Sequence, residues 1–365
     1  MLPAARVKFL VQSLNKILGI YIHIPFCLKK CGYCDFFSFS PKEKDLDLYL
    51  DKIIKEINRW SDKLCRSADS LYIGGGTPSV LGTNRINKII LAAKDAFNIN
   101  GEITVECNPG DNIDFSTLLA NRISFGLQST NDKELAALNR RHNFKTAKET
   151  FLKAKKYFDN ISVDVMMGIP YQTKESLTKT LKFITDLEIP HISSYMLKIE
   201  ENTPFYNSSL PFLDEDEVCD LYLLCCNFLK ERGYIRYEIS NFCKKGYESK
   251  HNLKYWQGKD YLGIGPSAHS RIDNKRFYYE RDYNKFLNNT IEIYEGDAGS
   301  LEENIMLALR TSDGFNFKDY PKIKNTALRL AKNGLISYNN DVITLTDKGA
   351  LLENMIIAEI INNLF

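Results

Sequence analysis

The sequence has no hydrophobic run long enough to cross a membrane and no sustained block of basic residues. Hydrophobic residues make up 44% of the 365 residues, yet no apolar segment approaches the ~18 residues that a membrane-spanning helix needs. The 48 basic and 46 acidic residues leave a net charge of only +2. Such a balance does not favour a nucleic-acid partner. We therefore predict a globular protein with no integral membrane segment and no bound nucleic acid.

Acidic residues are absent from the first 34 residues, and a disulfide framework is also missing. The acid-free start faintly resembles a transit peptide, but we favour a short N-terminal arm over residues 1–18, because the first strand pattern begins at Gly19. Secreted disulfide scaffolds are usually short and carry an even number of cysteines. This chain has nine cysteines, most of them scattered. We therefore predict a reducing compartment, the cytoplasm.

Short β-branched segments alternate with longer segments of helical period along the first two hundred residues. The apolar residues between Leu46 and Leu64, for example, recur at steps of four and three, which is typical of one face of a helix. Strand–helix alternation repeated six times predicts an open partial (β/α)6 TIM-type barrel over residues 19–205. In such a barrel the chemistry lies at the C-terminal ends of the strands. We predict strands at residues 19–24, 70–73, 103–107, 122–125, 161–166 and 191–195.

The pattern changes after about Pro204. We interpret residues 206–295 as a linker and a region that covers the site. Residues 296–365 read as helix, helix, hairpin and helix, with the hairpin turn at Asn339-Asn340. This order predicts a small winged-helix-like α+β domain. Because basic residues do not cluster there, we interpret it as a packing or docking domain rather than a DNA reader.

Three closely spaced cysteines, Cys27, Cys31 and Cys34, are the sharpest signal in the sequence. Thiolates are the ligands of iron–sulfur clusters, and a complete [4Fe–4S] cubane normally takes four. Three cysteines leave one iron open, and that iron can accept the amino and carboxylate groups of a methionine moiety. A structural zinc site would need a fourth ligand, usually from a second Cys-x2-Cys pair, which the sequence lacks. Structural cysteines with no ligand role are the remaining alternative.

The residues around these cysteines carry a family resemblance. The segments Tyr21-Ile-His-Ile-Pro-Phe-Cys27 and Cys31-Gly-Tyr-Cys34-Asp-Phe resemble the radical-SAM superfamily. Within it they resemble the branch of the oxygen-independent coproporphyrinogen dehydrogenases and the haem chaperones, from about Gly19 to about Ser270. The resemblance implies a [4Fe–4S] cluster, S-adenosylmethionine (SAM) and an electron donor such as flavodoxin or ferredoxin. In that chemistry a reduced cluster cleaves SAM to a radical that abstracts hydrogen from a substrate.

The same resemblance assigns SAM contacts to residues at the strand ends. It places Tyr21 beside the SAM methionine and Tyr33 beside the adenine. The glycine-rich segment after the second strand corresponds to the family's SAM loop, and its predicted contact residues are Gly75, Gly76 and Thr77. Four further polar residues are implied as contacts to the ribose, the carboxylate and the sulfonium: Glu106, Gln128, Arg140 and Asp164.

Two features distinguish the members of this branch. The dehydrogenases carry a fourth cysteine two residues after the third and a longer N-terminal arm, whereas this sequence has Phe36 there and about eighteen residues before the first strand. Conversely, His251-Asn-Leu-Lys-Tyr-Trp256 resembles a motif of the haem chaperones. It makes His251 the leading candidate for a haem ligand, with His269 next. The alternative is that His251 is a structural residue, with Tyr255 and Trp256 in the core.

Three functions therefore remain open from the sequence. The first is a haem chaperone that carries a SAM-bound cluster and passes haem to acceptor apo-proteins. Such a chaperone could act as a homodimer. The second is an oxygen-sensitive radical enzyme on a porphyrin, such as a coproporphyrinogen III dehydrogenase. The third is a related methyltransferase or haem-degrading enzyme. Phe36 favours the first over the second, and whether the protein is an enzyme stays open.

Overall fold

The computed structural model describes residues 17–364, so the predicted N-terminal arm of residues 1–18 lies almost wholly outside the described residues. Fifteen strands occur between residues 17 and 364. The strands are β1 (Leu18–Ile24), β2 (Ala68–Gly75), β3 (Glu102–Cys107), β4 (Arg122–Gln128), β5 (Ile161–Met167), β6 (His191–Met196), β7 (Ile235–Arg236), β8 (Asn241–Cys243), β9 (Tyr261–Ile264), β10 (His269–Ile272), β11 (Lys275–Tyr279), β12 (Glu292–Asp297), β13 (Phe315–Asn316), β14 (Ile336–Asn339) and β15 (Val342–Leu345).

Helices fill most of the connections, together with short 3-10 turns at Pro78–Leu81 and Pro204–Asn207. The α-helices are α1 (Glu43–Leu64), α2 (Thr83–Phe97), α3 (Asp132–Ala137), α4 (Phe144–Ala154), α5 (Lys174–Asp186), α6 (Glu215–Glu231), α7 (Lys250–Trp256), α8 (Tyr283–Asn288), α9 (Leu301–Leu309), α10 (Ile323–Lys332), α11 (Asp347–Leu351) and α12 (Glu353–Asn362). None of the helices between residues 17 and 364 is long and apolar enough to cross a membrane.

Twelve strands form one sheet in the order β12-β11-β10-β9-β1-β2-β3-β4-β5-β6-β8-β7. From β9 to β6 in this order the strands are parallel, and the strands at both ends are antiparallel. The predicted strands agree with β1 to β6 within one or two residues at most ends. The carboxyl ends of these parallel strands meet at one edge, which is where the predicted site residues should collect.

The helices bury the apolar faces that their periodicity predicts. Leu46, Leu50, Ile53, Ile57 and Trp60 of α1 are at most 5% exposed, and they join the strands in one core. One connection differs from strict alternation, because residues 108–121 between β3 and β4 contain no helix. Helix α2, between β2 and β3, fits the alternation.

The segment of residues 206–295 is more than a linker. Its strands β7 to β12 extend the main sheet on both sides, and β9 lies next to β1 through pairing of Gly19 with Tyr261. The C-terminal helices pack with the small sheet β13-β15-β14 around a second core, as the α+β pattern predicts. Arg236 Nε donates to Asp347 Oδ1 over 2.9 Å and joins the two parts. The division into four parts remains a prediction.

Candidate functional site

A cavity of about 320 Å³ lies at the carboxyl ends of β1 to β5. It collects nearly all of the residues that the sequence predicts for the cluster and for SAM, and these come from five different strand ends. Tyr21 lines a neighbouring cavity instead, and His251 lies in neither. The predicted residues in the first cavity are Cys27, Cys31, Tyr33, Cys34, Gly75, Gly76, Thr77, Glu106, Gln128, Arg140 and Asp164.

The three cysteines lie on one loop, residues 25–39, which we call the cysteine loop. Its base is closed because Cys27 N–H donates to the Phe39 carbonyl over 2.9 Å. Gly32, between two of the cysteines, is required by packing: a Cβ there would lie 2.3 Å from the Phe205 ring. Sequence reasoning missed both Gly32 and Phe205, although a glycine between two ligands was a readable signal for close contact.

The cysteine loop fits an iron–sulfur cluster better than a single metal ion. All three thiols are free and partly exposed, and burial raises the pKa of Cys34, so its binding to iron must release a proton. Among residues 17–364, no three Cys, His, Asp or Glu side chains lie close enough to share one metal ion. A cubane does not require such convergence, since each thiolate binds a different iron of the cluster.

Two side chains of the cavity approach the thiols. Thr77 Oγ1 donates to Cys27 Sγ over 3.4 Å, and Arg140 Nη1 donates to Cys31 Sγ over 3.5 Å. Donors of this kind stabilise thiolate charge and tune a cluster's potential. Arg140 is held by Asn108, whose Oδ1 accepts from Nη2 over 2.5 Å. Asn108 was missed from the sequence, although it directly follows β3 in a polar Asn-Pro-Gly turn.

Arg140 also provides a test of whether SAM fits this cavity. Its Nε atom is buried and has no hydrogen-bond partner in the described part of the chain. An unpaired buried donor costs free energy unless a ligand satisfies it. A carboxylate in the cavity would satisfy Nε, so the donor set agrees with a ligand that carries a carboxyl group, as the methionine moiety of SAM does.

Glu106 and Asp164 form a pair of acidic side chains in the same cavity. Desolvation raises the pKa of Glu106 to about 7, with a further contribution from the charge of Asp164. Desolvation likewise raises the pKa of Asp164 to about 6. Glu106 accepts hydrogen bonds from Tyr72 Oη over 2.8 Å and from Gly75 N–H over 3.1 Å. Near pH 7 each of these carboxyl groups can be protonated, so it can both donate and accept hydrogen bonds. This suits the hydroxyl groups of a ligand.

The glycines after β2 serve packing. A Cβ on Gly75 would lie 2.5 Å from His23 Nδ1, and one on Gly76 would lie 2.6 Å from the Phe26 carbonyl oxygen. Gly75 also has a φ of +111°, a backbone conformation that residues other than glycine rarely adopt. The two glycines thus let the end of β2 approach β1 and the cysteine loop. Their predicted role in exposing backbone to SAM remains a prediction.

His251, the leading candidate for a haem ligand, is buried and has a hydrogen-bond partner on each ring nitrogen, and its role as a haem ligand stays a prediction. His251 is the second residue of α7 and has no exposed surface. Both of its ring nitrogens lie within hydrogen-bond distance of a side-chain hydroxyl. Nδ1 lies 3.0 Å from Ser70 Oγ, and Nε2 lies 2.8 Å from Tyr255 Oη. An axial ligand needs a free ring nitrogen that faces a cavity. In this position His251 attaches α7 to β2, which favours a structural role, while Tyr255 lines the neighbouring cavity rather than the core.

We expect the His251→Gln variant to show a weaker acid destabilisation than the parent chain. Burial lowers the pKa of His251 to about 3, whereas histidine in an unfolded chain titrates near 6.5. The contribution of neutral His251 to stability is therefore complete above pH 6.5 and is lost as the pH falls toward 3. Removing it should reduce the slope of unfolding free energy against pH by up to ~1.4 kcal/mol per pH unit.

Urea unfolding of the cluster-free chain at pH 7, 6 and 5 measures this slope. The matched control is Tyr255→Phe, which removes one partner of the ring and keeps the histidine, so its slope should equal that of the parent. Equal slopes for the parent and His251→Gln would contradict a buried neutral His251.

Known proteins resemble this chain over most of its length. A family model described as the radical SAM superfamily matches residues 21–184. A protein of Buchnera aphidicola from Schizaphis graminum, named heme chaperone HemW, is 36% identical over 289 residues, or 74% of this chain and 76% of that protein. The protein of the same name from Lactococcus lactis is 31% identical over 368 residues, or 93% of this chain and 96% of that protein.

A solved structure also shares the fold. Coproporphyrinogen III oxidase (HemN) from Escherichia coli, described as a radical SAM enzyme, has a TM-score of 0.79 at 22% identity and covers 98% of this chain and 92% of its own. This likeness confirms the predicted radical-SAM fold. The chain belongs to the radical SAM superfamily, in the family of proteins named heme chaperone HemW. Family membership implies a [4Fe–4S] cluster and SAM in the cavity.

Proposed function

We propose that this protein is a haem chaperone, which binds haem and a SAM-coordinated [4Fe–4S] cluster and passes haem to acceptor apo-proteins. The observation that carries the proposal is the similarity to relatives named heme chaperone HemW, which extends over 93% of the chain. Phe36 supports it, because the dehydrogenases of the resembled branch have a cysteine at that position. The proposal includes a cytoplasmic location and an electron donor such as flavodoxin or ferredoxin. It is compatible with a homodimer.

Cys27, Cys31 and Cys34 would hold the cluster, and the remaining cavity residues would hold SAM. When bound and reduced by the electron donor, the cluster would supply one electron to the SAM sulfonium. Arg140 offers its unpaired Nε to a carboxylate. Glu106 and Asp164, with pKa values raised toward neutrality, suit the ribose hydroxyls.

One sample tests the proposal directly. The anaerobically reconstituted protein is titrated with haemin by absorption, incubated with an apo-haemoprotein such as apomyoglobin, and assayed with coproporphyrinogen, SAM and dithionite. We expect about one haem per chain, transfer of that haem to the acceptor, and no protoporphyrinogen by chromatography. A cluster-free sample is the control for background oxidation of the porphyrinogen.

Decarboxylation above that control would defeat the chaperone proposal and favour the dehydrogenase. Absence of haem binding at micromolar concentrations would defeat both the chaperone proposal and any haem site on this chain. Haem binding without decarboxylation supports the chaperone.

A further inference from the structure

A second cavity adjoins the cluster cavity. Its volume is about 630 Å³, which lies within the range typical of cofactor and ligand sites, whereas the first cavity has about 320 Å³. Tyr33, Cys34 and Phe36 line both cavities. The cysteine loop therefore forms a common wall, and a large ligand in the second cavity would lie directly beside the cluster site.

The walls of the second cavity suit a large planar ring. Aromatic side chains dominate its lining: Tyr21, Tyr33, Phe36, Phe37, Tyr255 and Tyr261. Phe36 is 67% exposed, so its ring is available to pack against a ligand. Arg281 adds a positive charge to the same lining, with 53% of its side chain exposed beside Asp35. Arg281 is paired with Asp35, and Glu200 also lines the cavity, so the flat aromatic faces rather than the charges match a large planar macrocycle.

Four of the five histidines are buried residues with protein partners. None of them is more than 6% exposed. His23 and His191, like His251, use both ring nitrogens in hydrogen bonds. His142 lies 3.2 Å from the Leu127 carbonyl oxygen through Nε2, and it lines the cluster cavity. Only His269 has an exposed side chain, at 52%, and it lines the second cavity.

The ring of His269 is held in one orientation by two neighbours on adjacent strands. Its Nδ1 lies 3.3 Å from Glu295 Oε2, and it stacks on Tyr278 with ring centroids 5.1 Å apart and planes at 21°. Glu295 lies where the register of β11 and β12 shifts, and such bulges redirect side chains. With Nδ1–H donating to the carboxylate, Nε2 keeps its lone pair. Within residues 17–364, no hydrogen bond involves Nε2.

We propose that His269 is the axial ligand of haem iron, with the haem bound in the second cavity against the cysteine loop. A histidine that donates Nδ1–H to a carboxylate and presents Nε2 to a metal is a common arrangement of metal-ligating histidines. The proposal rests on the proposed function, since it assigns the site of its haem. It replaces His251 by a partly exposed histidine that lines a cavity of sufficient size.

Haem binding by full-length, cluster-loaded variants tests this assignment. Haemin is titrated into the parent, His269→Ala, His142→Ala and His251→Gln, and the Soret position, ferric spin state and dissociation constant are recorded. For His269→Ala we expect a shifted Soret band, a changed spin state and affinity at least tenfold weaker. Added imidazole should restore the parent spectrum, since it replaces the lost ligand. His269 is exposed, so this variant should fold.

The outcomes separate the site from the function. A parent-like spectrum in His269→Ala, or a loss of the parent spectrum in His142→Ala or His251→Gln with His269 intact, overturns the assignment while the chaperone stands. Failure of the parent itself to bind haem overturns the proposed function. Loss in His269→Ala alone, with rescue by imidazole, supports His269.

Discussion

Replacing Cys27, Cys31 and Cys34 together by alanine is expected to abolish the iron–sulfur absorption and the bound iron and sulfide. The three thiols are the free, partly exposed cysteines of the cluster cavity, and a cubane with one open iron depends on all of them. The chain should remain folded, because its main core lies in the sheet and helices below the loop. Iron and sulfide analysis after anaerobic reconstitution, with circular dichroism for the fold, gives the result.

Cys107 offers a matched control for this experiment. It lines the same cavity but is 4% exposed at the end of β3, and burial raises its pKa well above that of a free thiol. Cys107→Ala should retain the full iron content. A full complement of iron in the triple variant would refute the cluster assignment, as would loss of iron in Cys107→Ala alone.

Arg140→Ala is expected to weaken SAM binding by roughly 10- to 150-fold, equivalent to about 1.5–3 kcal/mol. Its guanidinium contacts Cys31 and Asn108 and keeps one buried donor, Nε, without a partner. A charge-assisted hydrogen bond to the SAM carboxylate would be lost. Arg140→Lys should recover little of the affinity, since an ammonium cannot reproduce the planar fork of donors. Titration calorimetry on cluster-loaded protein measures the loss.

The neighbouring Arg141 is the control for charge alone. Its side chain is 44% exposed and pairs with Asp111 over 3.3 Å, and exposed pairs of this kind contribute little. Arg141→Ala should change SAM affinity far less than Arg140→Ala. Equal losses in the two variants would mean that general positive charge, rather than the buried donor, attracts the ligand.

Local patterns were sufficient to predict strands β1 to β6 and to single out the three cysteines of the cysteine loop. Six strand segments and the three cysteines could be located because side-chain alternation, helical period and ligand spacing are encoded over short stretches. A parallel sheet then brings the strand ends together whatever the details of packing. This is why Glu106, Arg140 and Asp164 meet in one cavity although they are far apart in sequence.

Contacts between distant segments could not be predicted in this way. The ring of His251 is occupied because α7 lies against Ser70 of β2, and no short pattern encodes that packing. The same holds for Gly75, whose neighbour is the His23 ring, and for Tyr21, which lines the second cavity through the placement of β9 beside β1. A motif identifies residue types, whereas burial decides which atoms remain available.

The position of β1 has a consequence for the order of folding. Strand β1 is synthesised long before β9, yet the two strands are neighbours inside the sheet, through Gly19 and Tyr261. Pairing of such distant segments is slow because the intervening chain must first be ordered. The sheet around β1 is therefore complete only after residues 261–264 have been synthesised and docked. All residues that line the cluster cavity lie between Cys27 and Tyr195, whereas the second cavity also needs residues between Tyr255 and Arg281. A chain truncated before β9 would thus carry the residues of the cluster cavity but lack one wall of the second cavity.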